Sequence, residues 1–200
     1  MTTPRDLLIV TLDIAGQRPI ESGELSLALA GAELIDLLQS PTIRLDGGRI
    51  VPGHLPGPAD HLLEVAAAAL VMEEPHESVS DWLWRRGKSL AGTYVAVLES
   101  EGVIAREGRT RFQEGWRVVV ESPSRRKAAD RWASSEPVLV TLADFLGIHS
   151  KDDRGVGGVS NYAVQTVLAA VADALVELDW ERQRRAIEQV GFDNIWRGPE

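Results

Sequence analysis

The sequence predicts a mainly α-helical protein, a single domain over residues 1–200 with a core helix bundle and small protruding β-hairpins. Three observations predict this class. Apolar residues recur at helical spacing in Leu27–Leu38 and Leu90–Glu101, whereas they alternate between Ile43 and Val51. A chain of 200 residues with 44% hydrophobic content can bury a sizeable core. The sequence has no internal repeat and no linker long enough to separate two domains.

The first elements are an apolar run and a long helix. The run Leu7–Leu12 belongs to the core but is too short to assign to helix or strand. Ser22 is predicted to cap the next helix, with Glu24 in the first turn. Leu34 lies on the apolar face of that helix and should be buried. Pro41 is predicted to end it.

A hairpin and two further helices are expected next. The residues Asp46-Gly47-Gly48 supply the positive dihedrals of a tight turn between two short strands. A loop rich in proline and glycine follows, and His61–Met72 is predicted to be a buried, alanine-rich helix. Ser78 resembles a helix cap, and the helix that it begins should carry Trp82 into the core.

A further helix, a strand pair and three C-terminal helices are predicted in the second half. Helix Leu90–Glu101 should end at Gly102, before a strand pair, Val103–Arg106 and Trp116–Glu121, that turns near Gln113-Glu114-Gly115. Three helices should follow, around Ala128, around Leu142 and over Asn161–Leu178. The segment 150–160 is predicted to be a loop within the domain.

The composition limits the compartment and the membrane topology. The chain has no cysteine, which excludes disulfides and thiolate metal sites and fits a reducing compartment. The N-terminus lacks a signal-peptide pattern, so we expect a cytoplasmic protein. The most apolar stretch, Val65–Met72, is far shorter than the roughly 20 residues of a membrane span. Any contact with a membrane should therefore be peripheral.

Catalytic and metal-binding patterns are weak. His61 and Glu64 are one helical turn apart, but the second histidine of a zinc motif is missing. Gly155–Gly158 lacks the lysine and hydroxyl of a phosphate-binding loop, and no G-x-S-x-G elbow is present. We therefore expect a protein that is not an enzyme, with no cofactor and no metal.

The charge is unevenly distributed. The net charge is −9, but Arg85 to Arg131 contains 11 basic and 6 acidic residues, a local charge of +5. The folded chain could present one basic face on an acidic body, or the arginines could be scattered over its surface.

Basic and aromatic residues alternate within this segment. Arginine binds phosphate through its planar fork and tryptophan lies well at the lipid headgroup boundary, so the combination suits an anionic membrane surface. It also suits nucleic acid, and the aromatic residues could instead be core beneath solvated arginines. The predicted lipid-binding residues are Arg85, Arg86, Lys88, Arg109, Arg111 and Trp116.

Three segments carry a resemblance to a known family. Leu25–Leu37, Glu74–Leu83 and Leu98–Ile104 resemble, in order and spacing, the first core helix, the Trp-bearing helix and the helix end of the Golgi phosphoprotein family. The resemblance covers roughly Leu7 to Val120 well. It implies a mostly α domain with a protruding hairpin that acts as a non-catalytic adaptor and binds phosphatidylinositol 4-phosphate.

The family's phosphate pocket is only partly kept. Its tryptophan falls on Glu21 and its arginines fall on Ala30, Lys88 and Ala91, so Lys88 alone retains the charge. The resemblance therefore indicates a divergent member of the family, which we expect to be bacterial. It should prefer phosphatidylinositol 4-phosphate little over another lipid of equal charge.

Two other functions remain open from the sequence. Helix Leu90–Glu101 followed by a hairpin also resembles a winged-helix DNA-binding regulator, although this helix offers no arginine or lysine to phosphates. A scaffold that binds only protein is the other alternative. The expected partners are anionic membrane lipid and other proteins, nucleic acid is not favoured, and an oligomer is compatible with the sequence.

Overall fold

The computed structural model describes residues 2–14, 21–40, 42–53, 60–107, 116–149 and 159–196. Within these ranges it contains eight helices and two antiparallel hairpins, which confirms the predicted mainly α class. The helices are α1 (Thr3–Ile14), α2 (Ser22–Gln39), α3 (His61–Ala68), α4 (Val79–Arg86), α5 (Leu90–Ser100), α6 (Pro123–Ala133), α7 (Pro137–Phe145) and α8 (Tyr162–Trp196). The strands are β1 (Ile43–Asp46), β2 (Arg49–Pro52), β3 (Ile104–Glu107) and β4 (Trp116–Val119).

Helix α2 is the centre of the core. It packs against α1, α4, α5 and α8, and its side chains are buried on nearly every side, as expected of a helix that is apolar all round. Leu34 is fully buried, as predicted. A Cβ atom at Gly31 would lie 2.4 Å from Val171 Cγ2 of α8, so the close contact between α2 and α8 requires glycine at this position.

The apolar run near the N-terminus is a helix buried on several sides. Leu7, Leu8, Ile9 and Val10 are all buried in sequence, between α2, α6 and α7. A helix surrounded in this way has no polar face, which explains why its periodicity could not identify it. Asp6 in its first turn is also fully buried.

Both predicted hairpins are present. In β1–β2, Asp46 pairs with Arg49, and Gly47 and Gly48 adopt φ of 54° and 78° as the turn requires. The second pair runs over 104–107 and 116–119, and it differs from the predicted strands by one or two residues at three of the four ends. Its predicted turn, residues 113–115, lies outside the described residues, as does Pro41.

Two local predictions were wrong. Glu21, and not Ser22, is the residue before α2, and its side chain makes no capping bond. The third helix ends at Ala68 and not at Met72, and it begins with a cap by the Asp60 carboxylate. After Ala66 no side chain of this segment is fully buried, and Ala69 and Leu70 pack against the core only in part, so burial stabilises a continued helix less here.

Other predictions were right. Ser78 Oγ accepts a hydrogen bond from the Asp81 amide at 3.1 Å, and Trp82 in the following helix is fully buried. Helix α5 ends at Ser100, two residues before Gly102, whose φ is 72°. The three C-terminal helices are present, and α8 extends 18 residues beyond the predicted end at Leu178. Most of the predicted loop at 150–160 lies outside the described residues.

Candidate functional site

The three cations of the run Arg85-Arg86-Gly87-Lys88 have different surroundings. Arg85 lies on the outer side of α4, where its guanidinium contacts both oxygens of Glu77 at 2.6 and 2.7 Å. The same group donates to the Ala69 carbonyl and lies 5.2 Å from the centre of the Trp82 ring. Arg85 therefore joins α4 to the segment before it.

Arg86 is turned towards the protein interior. Its guanidinium contacts both oxygens of Glu33 on α2, at 2.8 and 2.9 Å, and Glu33 is fully buried. The buried Tyr94 hydroxyl of α5 donates to the same carboxylate at 3.0 Å. Burial raises the pKa of Glu33 and the pKa of Tyr94. Arg86 therefore balances a buried acid and is not presented to a ligand.

Lys88 is exposed, and it has no ion-pair partner among the residues that the structure describes. It lies in the turn between α4 and α5, beside the N-terminus of α2. The two elements enclose an open pocket of about 260 Å³. Its lining residues are Ser22, Gly23, Ser26, Leu27, Trp84, Gly87, Lys88, Ser89 and Leu178. We call this the α2 pocket.

Glycine and serine residues shape the α2 pocket. A Cβ atom at Gly87 would lie 2.5 Å from the Leu83 carbonyl oxygen, so the turn after α4 needs glycine. Ser26 Oγ accepts a hydrogen bond from the Ala91 amide at 3.0 Å and so fixes the start of α5 against α2. Ser89 adopts φ of 58°, which is uncommon for a residue other than glycine. The turn that carries Lys88 is thus held in one conformation.

The N-terminus of α2 adds positive potential to the pocket. No side chain caps this helix, so the amides of its first turn have no hydrogen-bond partner among the described side chains. Such amides are able to bind an oxyanion. Glu21 and Glu24 lie beside them, and Arg182 of α8 contacts these carboxylates at 2.8 and 2.7 Å. Arg182 therefore offsets the two acids at the edge of the pocket.

The remaining predicted cations belong to the second hairpin. Arg109 and Arg111 lie outside the described residues, and Trp116 is the first residue of β4, opposite Glu107. Two other arginines of this hairpin, Arg106 and Arg117, both contact Glu99 of α5. The hydrogen bond from Arg106 lowers the pKa of Glu99. The strands thus bind to α5 through their own arginines.

The positions to which the resemblance assigned a phosphate pocket separate into two groups. Lys88 lines the α2 pocket, and Glu21 precedes its helix. Ala30 and Ala91 are buried, and the Ala30 carbonyl accepts a hydrogen bond from Trp82 Nε1 at 3.2 Å. Sequence reasoning missed Arg182, because nothing in the sequence connects a residue of α8 with the start of α2.

Among the described residues, no group of three or more histidine, cysteine, aspartate or glutamate side chains could hold a metal ion. His149 contacts Asp144. No described helix has the length and hydropathy needed to cross a bilayer.

Comparison with known proteins identifies the family. No curated protein matches the chain. A family model described as Golgi phosphoprotein 3 (GPP34) matches residues 4–192, which is nearly the whole chain and includes every element that forms the α2 pocket. The chain therefore belongs to the Golgi phosphoprotein 3 (GPP34) family.

Proposed function

We propose that this protein is a non-catalytic, peripheral membrane-binding module that holds the headgroup of an anionic lipid at the α2 pocket. One observation carries the proposal: Lys88 and the uncapped N-terminus of α2 meet at the same open pocket. Lysine binds phosphate as a point charge, and helix amides add oriented donors. Membership of the Golgi phosphoprotein family supports a function of this kind.

The second hairpin supplies the other part of the proposed membrane contact. Arg109 and Arg111 lie in the connection between β3 and β4, and Trp116 begins β4. Arginine attracts anionic lipid and tryptophan favours the headgroup boundary, so this hairpin is suited to meet the bilayer surface. Arg85 adds an exposed charge that is partly neutralised by Glu77, whereas Arg86 is assigned to the core.

The proposed binding is weak and selects charge more than headgroup identity. Each cation near an anionic bilayer contributes about 1 kcal/mol, and salt screens the attraction beyond about 10 Å at 0.1 M. Glu21 and Ala30 stand where the family has a tryptophan and an arginine. We therefore expect little preference for phosphatidylinositol 4-phosphate over another lipid of equal charge.

Vesicle co-sedimentation at low salt tests the proposal. The parent should bind acidic vesicles, ignore neutral ones and dissociate as salt is added. Lys88→Ala should weaken binding about fivefold, which corresponds to the loss of about 1 kcal/mol from one cation near the surface. Lys127→Ala is the matched control, because Lys127 is an exposed cation on α6 without an ion-pair partner in the described part of the chain. This control should bind like the parent.

Three results would contradict the proposal. The parent could ignore acidic vesicles, Lys88→Ala could bind as well as the parent, or a triple alanine variant of Lys88, Arg109 and Arg111 could bind unchanged. A DNA mobility-shift assay at matched salt tests the alternative function, a winged-helix DNA-binding regulator. The exposed positions of α5, such as Gly92, Thr93 and Ala96, carry no cation, so no shift is expected.

A further inference from the structure

Helix α8 carries a second row of apolar side chains, on the face opposite the core. Its inner face buries Val167 and Val171 against the bundle. On the outer face, Val176, Trp180 and Ile187 are 58%, 68% and 72% exposed. From Gln183 to Glu188 every described side chain of the helix is exposed, so the bundle does not cover this part of α8.

The spacing of the outer row is that of a coiled coil. Val176, Trp180, Gln183 and Ile187 follow one another at steps of four, three and four residues, which keeps them on one side of the helix. We call these four residues the outer seam. They span about 16 Å along the helix axis. Most helices on the surface of a monomer do not expose apolar residues at this spacing.

The charges beside the outer seam change sign along the helix. Residues 173–181 contain four acids and no base, whereas residues 182–185 contain three arginines. A parallel pair of such helices would place acid beside acid and arginine beside arginine. An antiparallel pair would place the acidic segment of each helix beside the arginines of the other.

We propose that a second copy of this chain docks on the outer seam, so that two α8 helices pair in antiparallel orientation about a twofold axis. Val176 of each copy then packs against Ile187 of the other, and Trp180 packs against Gln183. These pairs are the alternating layers of an antiparallel coiled coil. Because a twofold axis relates the two copies, each pair occurs twice in the dimer.

The flanking charges agree with this register. Glu177 and Arg184 each follow a seam residue, so they lie on the same side of the seam. Antiparallel pairing brings Glu177 of one copy to within two residues, about 3 Å along the axis, of Arg184 of the other. Among the described residues of its own chain, Arg184 contacts only Glu181 and Glu188, and both of these pairs are exposed.

A bilayer is a poorer occupant of the outer seam than a second copy. Asp173, Glu177, Asp179 and Glu181 precede the arginines on this helix, and an anionic surface would repel them. The docked copy places Arg184 beside Glu177, one of these acids. The occupant is therefore identified by its charge pattern, which is that of α8 itself.

Sedimentation of the full chain without lipid tests the proposal independently of the α2 pocket. The parent should show a monomer–dimer equilibrium. Ile187→Asp should raise the dissociation constant of the dimer at least tenfold, which corresponds to about 1.4 kcal/mol. Met72→Asp is the matched control, because Met72 is 66% exposed elsewhere on the surface. This control should leave the equilibrium unchanged. A monomeric parent, or an Ile187→Asp variant that dimerises like the parent, would overturn the proposal.

Disulfide cross-linking tests the orientation of the two helices. Because the chain has no cysteine, a cysteine introduced by substitution is the sole thiol of each variant. Val176→Cys and Ile187→Cys variants are prepared separately, mixed and oxidised. The mixture should form a disulfide between the two variants, and each variant alone should form little. A disulfide that forms within the Val176→Cys sample as readily as in the mixture would indicate parallel pairing and overturn the proposed register.

If instead Ile187→Asp abolished vesicle binding while the parent sedimented as a monomer, the outer seam would face lipid and the dimer would be excluded.

Discussion

Arg86 and Lys88 are two residues apart in the same basic run, but they have opposite surroundings. Arg86 contacts Glu33, which is fully buried, and Tyr94 completes the hydrogen bonds of that carboxylate. Lys88 is exposed, lines an open pocket and has no ion-pair partner in the described part of the chain. The helix α4 ends between them, so the first points into the bundle and the second out of it.

The difference shows that the net charge counted along a segment does not give the unpaired charge that the folded protein exposes to a ligand. Of the basic residues described between Arg85 and Arg131, most are held by acids of the same molecule, and Arg131 contacts the buried Asp6 at 2.5 Å. The excess of +5 in this segment is therefore largely neutralised by acids elsewhere in the chain. Two cations that keep their charge exposed are Lys88 and Lys127.

The largest effect should come from breaking the buried pair. Arg86→Ala leaves the Glu33 carboxylate without its counter-charge in the core, which should lower the free energy of unfolding by about 3 to 5 kcal/mol. Urea denaturation measures this loss. Arg126→Ala is the control, because its pair with Glu121 is exposed on both sides and should be worth about 0 to 1 kcal/mol. A loss below about 1 kcal/mol for Arg86→Ala would show that the bundle readily rehydrates Glu33.

A smaller, pH-dependent effect should come from Glu33 itself. Burial raises the pKa of Glu33 in the folded state above its unfolded value of about 4.3. The folded protein then holds this proton more tightly, so the stability gained from Glu33 is complete below the unfolded pKa. It is lost as pH rises through the folded pKa.

The Glu33→Gln variant isolates this titration. The free energy of unfolding of the parent should fall relative to that of the variant as the pH rises from the unfolded pKa of Glu33, about 4.3, through its raised folded pKa. Burial also raises the pKa values of Asp6 and Asp36, but these groups are present in both proteins and cancel in the difference. Urea denaturation at a series of pH values measures this difference in the free energy of unfolding. If the parent instead became more stable relative to Glu33→Gln as the pH rose, the raised pKa of Glu33 would be contradicted.

The smallest effect on stability should come from Lys88. Its side chain neutralises no acid among the described residues, so Lys88→Ala should change the free energy of unfolding by less than about 0.5 kcal/mol. Thermal or urea denaturation checks this. A loss comparable to that of Arg86→Ala would mean that Lys88 is a structural residue, and the comparison between the two cations would fail.

Much of the fold could be predicted because its signals are local. The turn at Gly47 and Gly48, the cap by Ser78 and the end of α5 near Gly102 depend on backbone dihedrals and on hydrogen bonds between near neighbours. The errors were local as well. Ser22 has the chemistry of a cap but lies one residue inside the helix, and the apolar segment after Ala68 is covered by the core only in part.

The candidate site could be predicted only in part. Lys88 was identified from its charge and from the family resemblance, and it lines the α2 pocket. Arg182, 158 residues after Glu24 in the chain, reaches the same helix end through tertiary contact alone. Arg86 was grouped with Lys88 because periodicity over one short helix does not reveal which cation faces a buried acid.

The sequence by itself determined the helical class, the two hairpins and the segment from which the pocket cation comes, since these follow from periodicity, turn residues and residue type. Only the tertiary structure decided which charges are neutralised, because ion pairs such as Arg86 with Glu33 and Arg182 with Glu24 join residues that are 53 and 158 positions apart. The same is true of the outer seam, since α8 has two apolar faces and only the packed bundle distinguishes the covered face from the exposed one.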